Sequence, residues 1–443
     1  MDGLIMAAQL IAALSILVTL HELGHFWAAR AFGIKVEKFY LFFDAWNFKL
    51  FSIKRGETEY GIGWLPLGGY VKIAGMVDES MDIEQLNKPP QPYEFRSKPA
   101  WQRLIVMVGG VVMNLILGVA IFTCLLMIVK KEYLPNASVS KGIVSYKLGD
   151  EVGFKTGDKL LAINGKSFER FDDIYSSEVL FGADITVLRN GEEKTVVIPE
   201  NFYRTLNTKG RWEFIGAGPQ VCVIKKIAPG ENADKAGLKE KDKIVAINDS
   251  LVQTEEQVRT ILPLYKGKQV SLKVKRDKEL LTISALVNDS GRLGFYPVTI
   301  ADIDPDYKMM PYTFGKALSY GAGDAFEAIT STIAGLGKIF QGKEKASESL
   351  QGPIGIATLF GAQWDWNRFW TLTGLLSMVL AFMNILPIPA LDGGHVVFLL
   401  GEIVTGRKPS DKLLERAQVA GMVILLSLMV FVFGNDLWRI FNK

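Results

Sequence analysis

The chain has 443 residues, 49% of them hydrophobic, and its formal net charge is only +3. A mean hydropathy of +0.19 is high for a soluble protein, and 50 basic against 47 acidic residues leave no basic surplus that would point to nucleic acid. The two cysteines, Cys124 and Cys222, fall in chemically different segments and are not expected to pair, so disulfides do not hold the fold together.

The apolar residues are bunched. Stretches 4–20, 104–129, 369–389 and 417–433 carry no charge. Each approaches or exceeds the ~20 residues that a helix needs to cross the hydrocarbon core. Four transmembrane helices are therefore expected. The first stretch has no basic n-region and no clear small-residue cleavage site after it, so it is read as a retained span and not a signal peptide. Arg30, Lys35 and Lys38 follow the first span, while Arg407, Lys408, Lys412 and Arg416 precede the fourth. By the positive-inside rule both loops are cytoplasmic and both termini lie outside. Lys130 and Lys131, on the outer side of the second span, argue mildly the other way.

Residues 1–33 carry His21-Glu22-Leu23-Gly24-His25 inside the first span. Residues four apart share a helix face, so His21 and His25 can grip one metal ion together. Glu22 is offset from that face and can take a proton from the attacking water without ligating. A mere pair of packed polar side chains is the poorer reading, because ionisable groups within a span are costly and usually functional. Residues 34–103 follow as a polar and aromatic stretch. Apolar alternation on either side of Lys54-Arg55-Gly56-Glu57 predicts a β-hairpin. Its aromatics (Trp46, Phe48, Phe51, Tyr60, Trp64) suit the membrane interface.

The second span, 104–130, leads into a region that repeats. Gly153, Asp158, Lys159, Ala162, Ile163 and Asn164 recur as Gly237, Asp242, Lys243, Ala246, Ile247 and Asn248, at a constant offset of 84. Roughly 85 residues can just close a core, so two copies of one small domain are expected, at 131–215 and 216–305. The shared Asp-Lys-apolar-apolar-Ala-Ile-Asn stretch resembles the corresponding part of PDZ domains. Residues 306–365 read as an amphipathic segment on the outer membrane surface, interrupted by Gly321, Gly323, Gly335 and Gly337. The third span, 366–400, is broken by Pro387 and Pro389. A cytoplasmic loop, 401–416, precedes the fourth span at 417–443.

Catalytic zinc takes three protein ligands and keeps one position open. Glu37 and Asp44 follow the histidines soonest, but beyond the helix. Asp392 is the better candidate. It lies in Asn384-Ile385-Leu386-Pro387-Ile388-Pro389-Ala390-Leu391-Asp392-Gly393-Gly394-His395, after a charge-free span and a double-proline break. Non-helical backbone at membrane depth is tolerated only when buried in protein or lining a wet cavity. His395, about one turn further on, is read as packing behind the site, with ligation the lesser alternative.

HExxH in the first span joined to NxxPxPxLDGG in a later one resembles the site-2 protease family. Leu65-Pro66-Leu67-Gly68-Gly69-Tyr70-Val71-Lys72 and the two PDZ-like repeats extend the resemblance over essentially the whole chain. It implies an α-helical membrane protein with four transmembrane helices, a membrane-associated β-hairpin or sheet, and two periplasmic PDZ-like β-rich domains. It implies one Zn2+ per chain on His21, His25 and Asp392, with Glu22 as general base and later proton donor. Asn384 would help hold the substrate backbone. Gly61 and Gly63 match a GxG element in a membrane-reentrant hairpin, to which an extended substrate could add as a strand; turn chemistry explains the two glycines equally well.

The implied setting is the bacterial inner membrane, with both termini and the PDZ-like domains periplasmic. The implied substrates are single-span membrane proteins, such as an anti-sigma factor or remnant signal peptides. The PDZ-like pair has two readings, peptide binding and a size filter; the resemblance favours the filter and the sequence alone does not choose. Two rival functions stand beside this one. One is a non-catalytic membrane scaffold with structural zinc, and the other a tethered protease acting on soluble proteins.

Overall fold

The computed structural model describes residues 2–66, 68–76, 89–210, 213–217, 222–252, 255–298, 308–342 and 344–441. Leu67 of the glycine-rich motif and the domain boundary expected at 305–306 lie outside these residues. The chain forms two compact units, one made of Met1–Lys131 with Tyr312–Lys443 and the other of Glu132–Pro311.

The first unit begins with helix α1 (Asp2–Ala31) and strands β1 (Val36–Leu41), β2 (Lys49–Arg55), β3 (Thr58–Gly63) and β4 (Tyr70–Ile73). Helix α2 (Ala100–Leu125) follows, and a wider turn extends it through Lys130. After the second unit come α3 (Phe314–Phe340), α4 (Pro353–Phe360), α5 (Trp366–Ile385), α6 (Asp392–Thr405) and α7 (Asp411–Phe441). Among the described residues, four helices are long and apolar enough to cross a membrane: Asp2–Ala31, Ala100–Lys130, Trp366–Ile385 and Lys412–Arg439.

Helix α2 is the hub, packing on α1, α3, α5 and α6. In lipid there is little hydrophobic drive between helices, so close backbone approach through small residues matters more. At the α1–α2 crossing a Cβ on Gly24 would lie 2.2 Å from the carbonyl oxygen of Gly109. The two backbones are in contact there. A buried ion pair joins α2 to α6, with Arg103 Nη2 donating to Glu402 Oε1 at 2.5 Å.

The strand order is β2-β3-β1-β4, with β1 and β3 parallel and the other pairs antiparallel. The hairpin expected from alternation is β2–β3, turning at Gly56 with φ +63°. Trp46, Phe48, Leu50, Phe51 and Ile53, in and just before β2, are exposed, forming an apolar fringe.

Three segments differ from the sequence reading. Helix α3 runs unbroken through Gly321, Gly323, Gly335 and Gly337, because Gly321 with Ala317 and Ala325 makes the small, buried face that packs toward α2. The third span stops at Ile385, and a separate helix starts at Asp392, since two prolines remove amide donors from the connecting turn. The loop expected at 401–416 is largely helical. α6 reaches Thr405, and Lys412, Glu415 and Arg416 ride exposed on the first turns of α7.

The second unit contains two cores of the same design. In the first, strands run in the order Glu192–Ile198, Ala183–Arg189, Lys159–Ile163, Lys166–Ser167. In the second, Glu279–Leu286, Gln269–Arg276, Lys243–Ile247 and Ser250–Leu251 repeat that order. The recurring residues explain the likeness. Asp158 takes a forked pair of hydrogen bonds from Arg189, whose Nη2 also donates to the Gly153 carbonyl. Asp242, Arg276 and Gly237 do the same in the second copy. Asn164 and Asn248 sit at φ +48° and +51° and accept from the amides of Asp184 and Ser271. Neither cysteine forms a disulfide, and Cys222 is buried in the second core.

Asp242 carries a pH signature. Burial alone would raise its carboxyl, but the Arg276 guanidinium and the Lys239 amide outweigh it and hold the group below the usual carboxylate range. A lowered folded pKa means stability that is complete above the unfolded value and is lost as pH falls through the folded one. Arg276→Met is therefore expected to destabilise this unit at pH 7 and to flatten its acid response below about pH 4. The melting transition of residues 132–311, followed from pH 3 to 7 in the full-length protein, reads this directly. An unchanged acid slope would remove Asp242 as the source.

Candidate metal and catalytic site

His21 and His25 lie one turn apart on α1 with their Nε2 atoms 3.2 Å from each other. Asp392, the first residue of α6, brings Oδ2 to 3.2 Å from His21 Nε2 and 3.3 Å from His25 Nε2. The three atoms form a nearly equilateral triangle. Around a tetrahedral zinc with bonds of about 2.0–2.1 Å, neighbouring ligand atoms sit about 3.3 Å apart. Asp392 Oδ2 is buried and accepts no well-formed hydrogen bond, an expensive state that a cation would relieve. Two imidazoles and a carboxylate are also a zinc donor set. Among the described residues this is the one His/Cys/Asp/Glu cluster tight enough to hold a metal.

The local sequence explains how Asp392 reaches α1. Leu386 to Leu391 is non-helical, with Ala390 strained at φ +80°. A Cβ on Gly393 would lie 2.0 Å from the Leu386 carbonyl oxygen, so this turn closes only over glycine. α7 seals it from outside. Gln418 Oε1 accepts from the Ala390 amide at 3.3 Å, and Gly421 touches the Pro389 carbonyl so closely that no side chain fits. The Asp392 carboxylate, in the first turn of α6, also meets the positive end of that helix dipole.

The other expected residues divide. Glu22 lies within electrostatic reach of His21, His25 and Asp392, with the backbone amide of Val71 in β4 as a hydrogen-bond partner. Asn384, at the end of α5, places Nδ2 3.3 Å from His21 Nε2. Glu37 and Asp44 are engaged in the sheet, where Lys72 pairs with Glu37 and both Lys38 and the Tyr70 hydroxyl reach Asp44. Gly61 and Gly63 lie on β3, which is hydrogen-bonded on both sides and has no free edge for a further strand. Their small size is used internally, since Cβ atoms there would strike the Tyr40 ring and the Phe43 backbone. Among the described residues, the outer strands of this sheet are β2 and β4.

Sequence reasoning passed over the back wall of the site, which belongs to α2. A Cβ on Gly110 would lie 2.4 Å from His25 Nε2 and 2.5 Å from His21 Cε1, so the imidazoles occupy the room this glycine leaves. The Val106 carbonyl lies 2.8 Å from His25 Nδ1, and the Asn114 side-chain amide 3.2 Å from His21 Nδ1. A strongly polar amide in a charge-free span was the available signal for Asn114.

Apolar helices that carry a two-histidine, one-carboxylate cluster with a glutamate beside it define a membrane zinc metalloprotease. Peptidase family M50 matches residues 9–428, and the chain belongs to that family, the site-2 proteases. Relatives agree along the full length. A protein named regulator of sigma E protease in Haemophilus influenzae is 28% identical over 97% of this chain and 98% of its own. The protease RseP of Yersinia pestis is 27% identical over 98% of each chain. A Pasteurella multocida protein described as a zinc metalloprotease is 30% identical, again over 98% of each.

Proposed function

We propose that this chain is an intramembrane endopeptidase that cleaves the transmembrane segment of single-span proteins. The observation that carries the proposal is the 3.2–3.3 Å triangle of His21, His25 and Asp392, on helices of a largely apolar bundle. These three residues would hold the zinc. When bound, zinc supplies a Lewis acid that polarises the scissile carbonyl and makes water nucleophilic at neutral pH. The Glu22 carboxylate takes the proton of the attacking water and delivers it to the leaving amide nitrogen. Asn384 orients the substrate backbone beside His21. A helical substrate has its carbonyls already hydrogen-bonded, so it must unwind. Among the described residues β4 is the outer strand next to Glu22, and an unwound segment adding there would pass the site with its backbone paired.

The name regulator of sigma E protease, carried by the Haemophilus influenzae relative, supports a role in a sigma-E response; an anti-sigma factor and remnant signal peptides are the single-span substrates we propose. Basic residues before α7 favour a cytoplasmic α6–α7 loop, which puts both termini and the 132–311 unit in the periplasm. The two repeats act there as PDZ-like size filters, admitting substrates whose outer domain has been trimmed. Incubating purified protein with a single-span substrate tests the main proposal. Cleavage is expected to stop with a chelator and to return with added zinc, and cleavage that survives complete zinc removal would sink it. Deleting residues 135–300 is expected to permit cleavage of untrimmed substrates. Continued dependence on trimming would count against the filter.

A further inference from the structure

The α2 residues behind the two histidines are not equivalent. The Val106 carbonyl can only accept, so it holds the His25 proton on Nδ1 and leaves Nε2 free. Asn114 is the counterpart for His21, and a side-chain amide can present either of two ends. We infer that Asn114 is the positioning residue of the metal site, its side-chain carbonyl accepting the Nδ1 proton of His21 so that Nε2 faces the metal. This rests on the ligand set proposed above.

Three observations converge on it. Two imidazoles that both offer Nε2 must both carry their proton on Nδ1, and a buried N–H requires an acceptor. Asn114 is fully buried, with Nδ2 3.2 Å from His21 Nδ1 while its own Oδ1 has no partner. Amide oxygen and nitrogen are nearly the same shape, so turning the group end for end puts the orphaned oxygen on His21 at no steric cost.

The residue is also held rigidly. Its backbone carbonyl accepts from Ser377 Oγ on α5 at 2.7 Å. Asn384 meets the opposite ring nitrogen, Nε2. The His21 ring is thus bracketed by two asparagines, Asn114 behind and Asn384 on the metal and substrate side. A neutral amide behind a histidine also avoids the cost of a further buried carboxylate beside Glu22 and Asp392.

Zinc affinity of the full-length protein in detergent, measured by chelator competition, tests the inference without reference to cleavage. Asn114→Leu keeps the volume and removes the acceptor; it is expected to weaken zinc binding about 10–100-fold. Asn114→Asp can accept, and is expected to bind zinc at least as tightly as wild type. Wild-type affinity in the Leu variant, or an equal loss in both variants, overturns the role. Should either variant misfold, wild type still decides. Zinc-loaded protein with nitrogen-15 histidine must show His21 protonated on Nδ1 and metal-bonded through Nε2, and the reverse pattern overturns the inference. His21→Ala separates the two levels. Undiminished zinc binding there refutes the ligand set itself, whereas loss there with an unaffected Asn114→Leu refutes only the positioning role.

Discussion

Replacing Glu22 with Gln is expected to lower cleavage of a single-span substrate by about 10²–10⁴-fold, the usual yield of general acid–base catalysis, while leaving zinc content unchanged. The substitution keeps the shape and the neighbours of the side chain and removes only its capacity to take a proton. Glu22 lies one residue round the helix from His21, with the backbone amide of Val71 as a partner. The neutral amide can still meet that partner through its oxygen. Cleavage rate and metal stoichiometry, measured on the same preparation, give the result. Retained cleavage would remove Glu22 as the general base. Loss of zinc together with activity would place Glu22 among the ligands.

Arg103→Met is expected to destabilise the protein by about 3–5 kcal/mol, because it strands Glu402 as an uncompensated charge in the bundle. Both side chains are about nine-tenths buried, at 10% and 9% exposure. Arg103 also donates from Nε to the Lys98 carbonyl at 3.0 Å, tying the pair to the chain entering α2. Combining Arg103→Met with Glu402→Leu is expected to recover most of the loss, since two apolar side chains of similar volume replace a buried pair at little cost. Glu402 lies on the same helix as Asp392, so the single variant should also hold zinc less firmly than the double. Thermal unfolding in detergent decides, and a double variant no better than the single would show that the pair is not an energetic unit.

The convergence of His21, His25 and Asp392 was legible because each half has a local signature. A helical i, i+4 spacing marks the first two, and a carboxylate after a proline break at the end of a charge-free run marks the third. The repeat was legible for a related reason. Asp158 and Asn164 are held by contacts inside their own small domain, so their spacing survives duplication at Asp242 and Asn248. What stayed hidden depends on which surfaces meet. Gly110 is one apolar-span residue among many until α2 lies against α1. Gly61 and Gly63 look like turn glycines until the register sets Tyr40 opposite Gly61. Arg103 and Glu402 are 299 residues apart, and neither announces the other.

The distance along the chain between the two histidines and Asp392 has a consequence for biosynthesis. His21 and His25 enter the membrane with the first helix, whereas Asp392 follows 371 residues after His21. At about 5–20 residues per second, that is a delay on the order of 20–70 s. The turn that carries Asp392 is then sealed by Gln418 and Gly421 of the last helix, which is synthesised later still. A nascent chain therefore sits among other membrane proteins with half a metal site. On the proposed ligand set, the metal site stays incomplete until helix α6 has been made, whatever the first helix has already met in the bilayer.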